Sequence, residues 1–305
     1  MSINMQPFVD RCDNERLRMR GIHILQHGRT IGKYSWTYED RRNIHSCTKT
    51  VTSCGVAIAL KHGYFKLDDK IAQFFESDLP KNPSPWLLDI TVENLLTMSA
   101  GFEEPIEDTF RIANIENYPK LILGREVVYK PGAHFRYDTG CAYLLGALIQ
   151  KVTGSLHNFI EYNVLRPIGI INAPWPESIE GVCLGGSALM FTTEEMAIFG
   201  QLLLQKGEWN GRQLVPRDYL EEAVTTMYMS EPENGKPPRG YGYMIWNKIW
   251  PEEYPDCYYA SGSWAKYILI FPMQEAVIAI GAHEPTWAKR LSIEEALHDE
   301  ILKQL

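Results

Sequence analysis

The chain has 305 residues, and its content of 45% hydrophobic and 22% charged side chains is ordinary for a soluble globular protein. Its formal net charge of −8 argues against nucleic acid as a partner, because backbone phosphates repel an acidic surface. The first twenty residues carry charges such as Asp10, Arg11 and Glu15 and lack the apolar core of a signal peptide or membrane anchor. We therefore expect a cytoplasmic protein without a membrane partner, or an exported one if a leader has been removed.

The N-terminal part predicts one helix followed by two strands. Residues 6–19 have the spacing of an amphipathic helix, and residues 21–36, GIHILQHGRTIGKYSW, contain two β-like runs around a turn at His27 and Gly28.

Ser46 and Lys49 then form an S-x-x-K pattern at a predicted helix start. Side chains three residues apart lie on one face of a helix. A lysine beside a serine loses part of its preference for the charged form when it is desolvated, so it can act as a general base or relay a proton. Asn43 is a candidate helix cap, and Ser46 would meet free N–H groups at the positive end of the helix dipole. Alone the pattern is weak, and a polar helix start is the alternative.

The residues after this pattern favour the chemical interpretation. The segment from Val51 to Leu60 is apolar on all sides, which predicts a buried helix and leaves no place for a solvated lysine. The strongest candidate partner for Lys49 is Tyr137, in the segment HFRYDTG. A cationic lysine can lower the pKa of a neighbouring tyrosine, which would make Tyr137 a proton shuttle to and from Ser46.

Residues 46–235 are mostly helical by pattern, and strands return near the C-terminus. Four short runs rich in β-branched and aromatic residues predict strands: YGYMIWN, CYYASG, KYILIFP and AVIAIGAH. Residues 292–304 predict a closing helix. The fold class is therefore α+β, with an antiparallel sheet flanked by N- and C-terminal helices plus a largely helical lobe.

We interpret residues 1–305 as one catalytic domain of two lobes. The sheet lobe would comprise residues 1–45 and 236–305, and the helical lobe residues 46–235. A site would lie at the junction of the lobes, where segments distant in sequence can meet.

Five ordered blocks of sequence carry a family resemblance. They are TVTSCGVAIALKHGYFKLDDKI, ITVENLLTMSAGF, YKPGAHFRYDTGCAYLLGALIQKVTG, GGSALMFTTEEMAIFGQLLLQKGEWNGRQLVP and YYASGSWAKYILIFP. Together with the S-x-x-K pattern they resemble the superfamily of serine β-lactamases and penicillin-binding-protein-like hydrolases. Within it the chain is most similar to the class C-like branch, which includes esterases, D-aminopeptidases and 6-aminohexanoate-dimer hydrolases.

The resemblance implies three catalytic residues. Ser46 matches the family's nucleophile, Lys49 matches its lysine, and Tyr137 matches the tyrosine of the Y-x-N element. Thr139 stands where that element usually has asparagine, so a shorter hydroxyl would replace a substrate-binding amide.

The third family element, usually Lys-Thr-Gly or His-x-Gly, reads Ala260-Ser261-Gly262. The match implies that the backbone N–H groups of Ser46 and Ser263 form an oxyanion hole, in which fixed donors meet the charge that develops on the carbonyl oxygen. The usual cation helps to bind a substrate carboxylate, so Ala260 argues against β-lactams and cell-wall peptides as preferred substrates.

Further residues are predicted to bind substrate. Ser261 and Gly262 belong to the third element, and Trp264 follows the predicted oxyanion donor. Aromatic residues in strands are more often part of the core, which is the alternative for Trp264.

The cysteines predict neither a disulfide framework nor a metal site. The chain has six, none of them in a C-x-x-C pair. We expect reduced, packed thiols. His45, Cys47 and Cys54 match no familiar ligand spacing, so we expect no metal and no cofactor.

These observations predict a serine hydrolase that cleaves a small-molecule ester or amide through an acyl-enzyme on Ser46, with Tyr137 as the base in deacylation. One alternative is an acyltransferase that uses the same serine. Another is a non-catalytic acyl-binding or sensor protein in which the altered second and third elements have disabled deacylation. A true β-lactamase is less favoured, and the sequence leaves the oligomeric state open.

Overall fold

The computed structural model describes residues 2–106, 115–232 and 237–305. The α-helices are α1 (Gln6–Asn14), α2 (Thr48–Lys61), α3 (Pro85–Asp89), α4 (Val92–Leu96), α5 (Tyr118–Leu123), α6 (Thr139–Thr153), α7 (Leu156–Ile160), α8 (Thr193–Leu204), α9 (Arg217–Ala223) and α10 (Trp287–Glu300). The strands are β1 (Met19–Gln26), β2 (Arg29–Ser35), β3 (Arg42–Asn43), β4 (Met190–Phe191), β5 (Glu208–Trp209), β6 (Arg212–Gln213), β7 (Tyr228–Met229), β8 (Gly240–Tyr241), β9 (Trp246–Asn247), β10 (Tyr258–Gly262), β11 (Lys266–Phe271) and β12 (Ala276–Ala282).

The main sheet joins strands from both ends of the chain. Its order is β2-β1-β12-β11-β10-β9-β8-β7, and each neighbouring pair is antiparallel. The N-terminal hairpin β1–β2 therefore pairs with the C-terminal strand β12, which ties the two ends of the chain together. This arrangement confirms the predicted antiparallel sheet and the α+β fold class.

Helices cover both faces of the sheet. The terminal helices α1 and α10 share one core with β1, β11 and β12, which includes Phe8, Leu269 and Leu297. On the opposite face, α8 packs against β1, β11 and β12, and the larger core continues into α2 and α6. Strand β11 is buried on both faces because its alternate side chains enter different cores, which explains its nearly continuous apolar sequence.

Some predicted boundaries differ from the observed ones. The first helix ends at Asn14 rather than near residue 19, because Arg16 takes a left-handed conformation with φ of 54° and turns the chain into β1. Helix α10 begins at Trp287, five residues before the predicted start. Strand β7 comes from the segment assigned to the helical lobe and joins the edge of the sheet. The division into two lobes stays a prediction.

Helix α2 lies at the centre of the helical side. Every residue from Thr48 to Ala59 is buried, as the apolar sequence predicts. The helix contacts α6 and α7 as well as β10, so its N-terminal end is held between the helices and the sheet. Among the residues that the structure describes, no helix is both long and apolar enough to cross a membrane. A cytoplasmic location stays a prediction.

Candidate functional site

Ser46 lies in a single 3-10 turn, His45–Cys47, immediately before α2. The side chain of Asn43 accepts hydrogen bonds from the backbone N–H of His45 (2.7 Å) and of Ala188 (3.1 Å). Asn43 therefore fixes the turn that carries Ser46 rather than capping α2 itself. Ser46 is partly exposed, whereas its neighbours on both sides are buried.

Lys49 is held beneath Ser46 by three polar contacts. Its Nζ lies 2.9 Å from Ser46 Oγ, 3.2 Å from Thr139 Oγ1 and 2.9 Å from the backbone oxygen of Gly186. The side chain is only 1% exposed. Burial lowers the pKa of Lys49 to about 7, and the Asp138 carboxylate opposes this shift. Charged and neutral forms of Lys49 are therefore both accessible near neutral pH.

Asp138 fixes the start of α6, and α6 carries Thr139. The Asp138 carboxylate accepts hydrogen bonds from the backbone N–H of Gly140 (2.8 Å) and of Ile106 (2.9 Å). It also forms an ion pair of 2.8 Å with Arg125, and both side chains are largely buried. Such a cap and ion pair hold the first turn of α6 in one position.

Thr139 faces Lys49 rather than the open part of the site. The residue is 3% exposed, and its hydroxyl contacts Lys49 as described above. The structure therefore places it where it can orient the lysine. Direct contact between Thr139 and substrate stays a prediction.

Tyr137 lies on the other side of Ser46, with which its side chain forms a hydrogen bond. Lys49 Nζ is 5.0 Å from the centre of its ring. The ring stacks on Trp246, with centroids 5.5 Å apart, and meets the edge of Tyr241 at 6.0 Å. Burial raises the pKa of Tyr137, although the hydrogen bond with Ser46 partly offsets this. The predicted lowering of this pKa is therefore wrong, because loss of solvent outweighs any effect of the lysine charge.

The end of β10 packs directly against the Ser46 turn. A Cβ atom at Gly262 would collide with the backbone oxygen of Ile44, two residues before Ser46. Only glycine allows this close approach between strand and turn. The contact brings the predicted element Ala260-Ser261-Gly262 and the exposed Ser263 alongside the candidate nucleophile.

The hairpin between β10 and β11 has an unusual conformation. Trp264 and Ala265 both lie in the left-handed region, with φ of 65° and 60°, which non-glycine residues seldom adopt. The Trp264 ring lies 4.8 Å from the ring of His45 and 4.2 Å from that of His283. Contact with His45, the residue before Ser46, places Trp264 at the rim of the site. These ring contacts offer a physical reason for the strained turn.

The structure thus brings Ser46, Lys49, Tyr137 and Thr139 into one cluster, with Gly262 against the same turn. Sequence reasoning missed one contributor, the backbone oxygen of Gly186. It carries no sequence signal, because any residue could supply it.

No metal centre accompanies this cluster in the described part of the chain. Residues 2–106, 115–232 and 237–305 contain no group of three or more His, Cys, Asp and Glu side chains that could hold a metal ion. The six cysteines are free and buried. Burial raises the pKa values of the Cys47 and Cys54 thiols to about 12, so both stay protonated at neutral pH.

Comparison with known proteins agrees with this architecture. A model of the Beta-lactamase family matches residues 14–303, and the chain therefore belongs to this family. The matched range includes nearly all the elements described above, from the end of α1 to the last helix.

Individual relatives are distant. Protein flp from Staphylococcus aureus (strain N315) is 24% identical over 173 residues, which cover 52% of this chain and 34% of that protein. The match thus spans about a third of the length of this curated relative.

Solved structures share the fold over nearly the whole chain. A Bacillus anthracis protein with the provisional description 6-aminohexanoate-dimer hydrolase has a TM-score of 0.79 and 18% identity, covering 97% of this chain and 82% of that one. A family VIII carboxylesterase has a TM-score of 0.74 and 14% identity, and the match covers 96% of this chain and 95% of that one.

Proposed function

We propose that the protein is a serine hydrolase that cleaves a small ester or amide through an acyl-enzyme on Ser46. The observation that carries this proposal is the distance of 2.9 Å between Ser46 Oγ and the Nζ of a buried lysine with a pKa of about 7. A lysine in solution is almost fully protonated at neutral pH and cannot accept a proton. Lys49, by contrast, has an accessible neutral form whose lone pair can face the serine hydroxyl.

The other two contacts of Lys49 support this orientation. A neutral amine has two N–H donors and one lone pair. Gly186 offers a carbonyl oxygen and Thr139 a hydroxyl, so these two groups can take both N–H donors. The lone pair then remains for the proton of Ser46.

Acylation follows from this geometry. Lys49 takes the proton of Ser46 Oγ while the oxygen forms a bond to the substrate carbonyl carbon. The resulting tetrahedral oxyanion collapses, and the bond to the leaving oxygen or nitrogen breaks. The leaving group receives the proton from the Lys49 ammonium. Tyr137 remains a neutral hydrogen-bond donor and acceptor in this step, because its raised pKa disfavours the phenolate.

In deacylation, water takes the place of the serine hydroxyl and Lys49 again acts as the base. Neutral Lys49 takes a proton from water, and the water oxygen attacks the acyl carbon. The bond between that carbon and Ser46 Oγ breaks, and the serine oxygen recovers the proton. This assignment replaces Tyr137 with Lys49 as the base, because Lys49 has the pKa suited to neutral pH and Tyr137 does not.

The oxyanion would lie between the Ser46 turn and the end of β10. We assign its donors to the backbone N–H groups of Ser46 and Ser263. The close packing of Gly262 on Ile44 supports this assignment, because it brings the two segments together. Backbone donors do not depend on the side chains that depart from the family pattern.

We propose a neutral acyl substrate rather than a β-lactam. Ala260 supplies no cation and is 2% exposed. Tyr137 and Trp246 instead present stacked, partly exposed rings beside Ser46, which suit an apolar or aromatic group. Transfer of the acyl group to a nucleophile other than water would use the same intermediate, so the acceptor decides between hydrolysis and transfer.

A panel of p-nitrophenyl esters, short amides and a chromogenic cephalosporin tests this proposal when it is read together with intact mass. We expect turnover of a neutral ester and a transient mass increase of one acyl group on the peptide that contains Ser46. The matched control is Ser53→Ala, which removes a buried hydroxyl from α2, the helix that follows the Ser46 turn. Undiminished labelling in Ser46→Ala would exclude Ser46 as the nucleophile. Stoichiometric labelling without turnover would favour the non-catalytic alternative.

A further inference from the structure

A second cavity lies on the side of the Ser46 turn where the sheet meets α8. About 400 Å³ of empty space lies within it and in front of it, and part of that space is open solvent. Its walls come from the sheet, from residues 37–44 and from the first turns of α8, and they do not include Ser46, Lys49 or Tyr137. The cavity is therefore separate from the site described above, although Asn43 and Ile44 belong to both neighbourhoods.

A buried lysine lines this cavity. Lys266 is 5% exposed, and its Nζ donates a hydrogen bond to the backbone oxygen of Ala282. The same atom lies 5.3 Å from the centre of the Trp264 ring. An ammonium group has three donors, so one carbonyl acceptor leaves further donors for a ligand. Burial lowers the pKa of Lys266 to about 8, because the ammonium loses contact with solvent.

Arg20 adds a second positive charge. It lines the cavity, and its charge further lowers the pKa of Lys266, so the two cations act on a common region. Within the described residues, no carboxylate lies within 4.0 Å of the side-chain nitrogens of Arg20 or Lys266. Two like charges in one cavity repel each other unless an anion lies between them.

The acidic residues of the cavity have partners elsewhere. Asp40 forms an ion pair with Arg42, which also lines the cavity. The Glu39 carboxylate accepts hydrogen bonds from the backbone N–H of Glu194 (3.1 Å) and from Ser35 Oγ (3.2 Å). The lining thus contains three cations, Arg20, Arg42 and Lys266, against two carboxylates, Glu39 and Asp40, so positive charge exceeds negative charge by one.

A neutral polar group completes the lining. Thr193, the first residue of α8, contributes its side chain to the wall. Gly21 of β1 and Gly281 of β12 are paired in the sheet and face Thr193. A Cβ atom at either position would lie 3.0 Å from Thr193 Oγ1. Glycines in a strand often mark a place where another group approaches closely. Here the group that approaches both strands is the threonine hydroxyl itself.

We propose that this cavity binds a small oxyanion, a carboxylate or a phosphate group, held by Lys266 and Arg20 with Thr193 as a further hydrogen-bond donor. A planar guanidinium and an ammonium are the side chains that bind such groups best. The separation from Ser46 makes this a site of its own rather than part of the acyl site. The proposal does not depend on the hydrolytic activity.

Ligand-dependent stability of the whole protein tests the site. The unfolding temperature is measured against rising concentrations of inorganic phosphate and, in a second series, of acetate, each at constant ionic strength set with chloride. An anion that binds only the folded state stabilises it by RT ln(1 + c/Kd) at anion concentration c, so the dependence of the unfolding temperature on anion concentration gives an apparent Kd. We expect at least one of the two anions to raise the unfolding temperature as this relation requires, with a logarithmic rise above Kd, and the stronger series identifies the chemical class.

Variants then locate the binding. Lys266→Met and Arg20→Gln should each weaken the apparent affinity by about tenfold or more, since each removes a charge-assisted hydrogen bond. Lys61→Met is the matched control, because it removes the same charge from an exposed position at the far end of α2. Ser46→Ala should bind the anion as the unmodified protein does, so a failure of the proposed hydrolysis leaves this result intact. Equal stabilisation by chloride, or equal affinity in Lys266→Met and Lys61→Met, would refute the site.

Discussion

Lys49 and Lys266 are both buried cations with lowered pKa values, yet their surroundings differ. Lys49 lies at the start of α2 with three polar partners from three segments, one of them the Ser46 hydroxyl. Lys266 lies at the start of β11, bonds one carbonyl oxygen and faces a cavity. Burial alone therefore does not define a role. The arrangement of partners makes Lys49 a candidate base and Lys266 a candidate anion ligand.

The two walls of the Ser46 site also differ from each other. The wall formed by α2 and α6 matches the family pattern in its nucleophile, lysine and tyrosine, and Asp138 anchors it through a cap and an ion pair. The wall formed by the β10–β11 hairpin lacks the usual cation and contains a strained turn at Trp264 and Ala265. We infer that the helical wall supplies the nucleophile and the proton transfers, whereas the hairpin wall supplies the oxyanion donor of Ser263 and, through position 260, affects the choice of substrate.

Replacement of Lys49 should have the largest effect on activity among the variants that keep Ser46. Lys49→Met removes the base, so acylation by a neutral ester should slow by about 10²- to 10⁴-fold. Lys49→Arg keeps the charge but cannot release its proton, so it should be about as slow. In the unmodified protein the rate should rise with pH through about 7, because the neutral amine is the reactive form.

The measurement is the single-turnover acylation rate across pH, with Lys61→Met as the control. An active Lys49→Arg enzyme would show that the lysine acts through its charge alone. A flat pH profile near 7 would contradict the lowered pKa.

Removal of the Tyr137 hydroxyl should have a smaller effect. Tyr137→Phe keeps the stacking on Trp246 but loses the hydrogen bond to Ser46. We expect acylation about a hundredfold slower, at the low end of general acid–base effects, because Lys49 remains in place. Tyr241→Phe removes a hydroxyl from the adjacent ring and should change the rate little. Equal rates in the two variants would show that the hydrogen bond between Tyr137 and Ser46 does not contribute to acylation.

Much of this architecture could be predicted from the sequence, because its signals are local. The apolar segment after Ser46 predicts the buried helix α2, and alternation and β-branched residues predict the strands of the sheet. The pairing of Ser46 with Lys49 also follows from helical spacing. Each of these features depends on residues near one another in the chain.

The features that the sequence could not provide depend on distant segments. The raised pKa of Tyr137 results from burial under Trp246 and Tyr241, more than a hundred residues further along the chain. The contact of Lys49 with Gly186 uses a backbone oxygen, which any residue carries. The role of Thr139 depends on which way the start of α6 faces. Such facts require the tertiary structure.

The missing cation of the hairpin wall can be restored to test its role in substrate choice. Ala260→Lys should raise the ratio of cephalosporin to neutral-ester acylation by about tenfold to a hundredfold, the value of one charge-assisted hydrogen bond. Position 260 is buried, so the lysine also has a cost in stability. Ala260→Met fills similar volume without the charge and is the matched control.

Both acylation rates are measured in all three proteins, with circular dichroism to verify the fold. An equal change of the ratio in Ala260→Met would assign the effect to packing. Efficient cephalosporin hydrolysis by the unmodified protein would contradict the proposed neutral substrate.

The smallest expected effect is on the pH dependence of stability, and it compares the two lysines directly. Burial lowers the folded-state pKa to about 7 for Lys49 and about 8 for Lys266, against an ordinary value of 10.5. Below the folded-state pKa, both folded and unfolded chains carry the proton, and the folded state bears the full cost of a buried cation. Between that pKa and 10.5 the unfolded chain binds more protons, so each lysine makes the free energy of unfolding rise with pH.

The methionine variants lack this contribution, so the difference in unfolding free energy between the unmodified protein and each variant isolates it. For Lys49→Met the difference should begin to rise near pH 7, and for Lys266→Met near pH 8, each with a slope approaching about 1.4 kcal/mol per pH unit. Urea unfolding at a series of pH values between about 6 and 10 measures this rise for each variant. A difference in unfolding free energy that does not change with pH in this range would contradict the lowered pKa of that lysine.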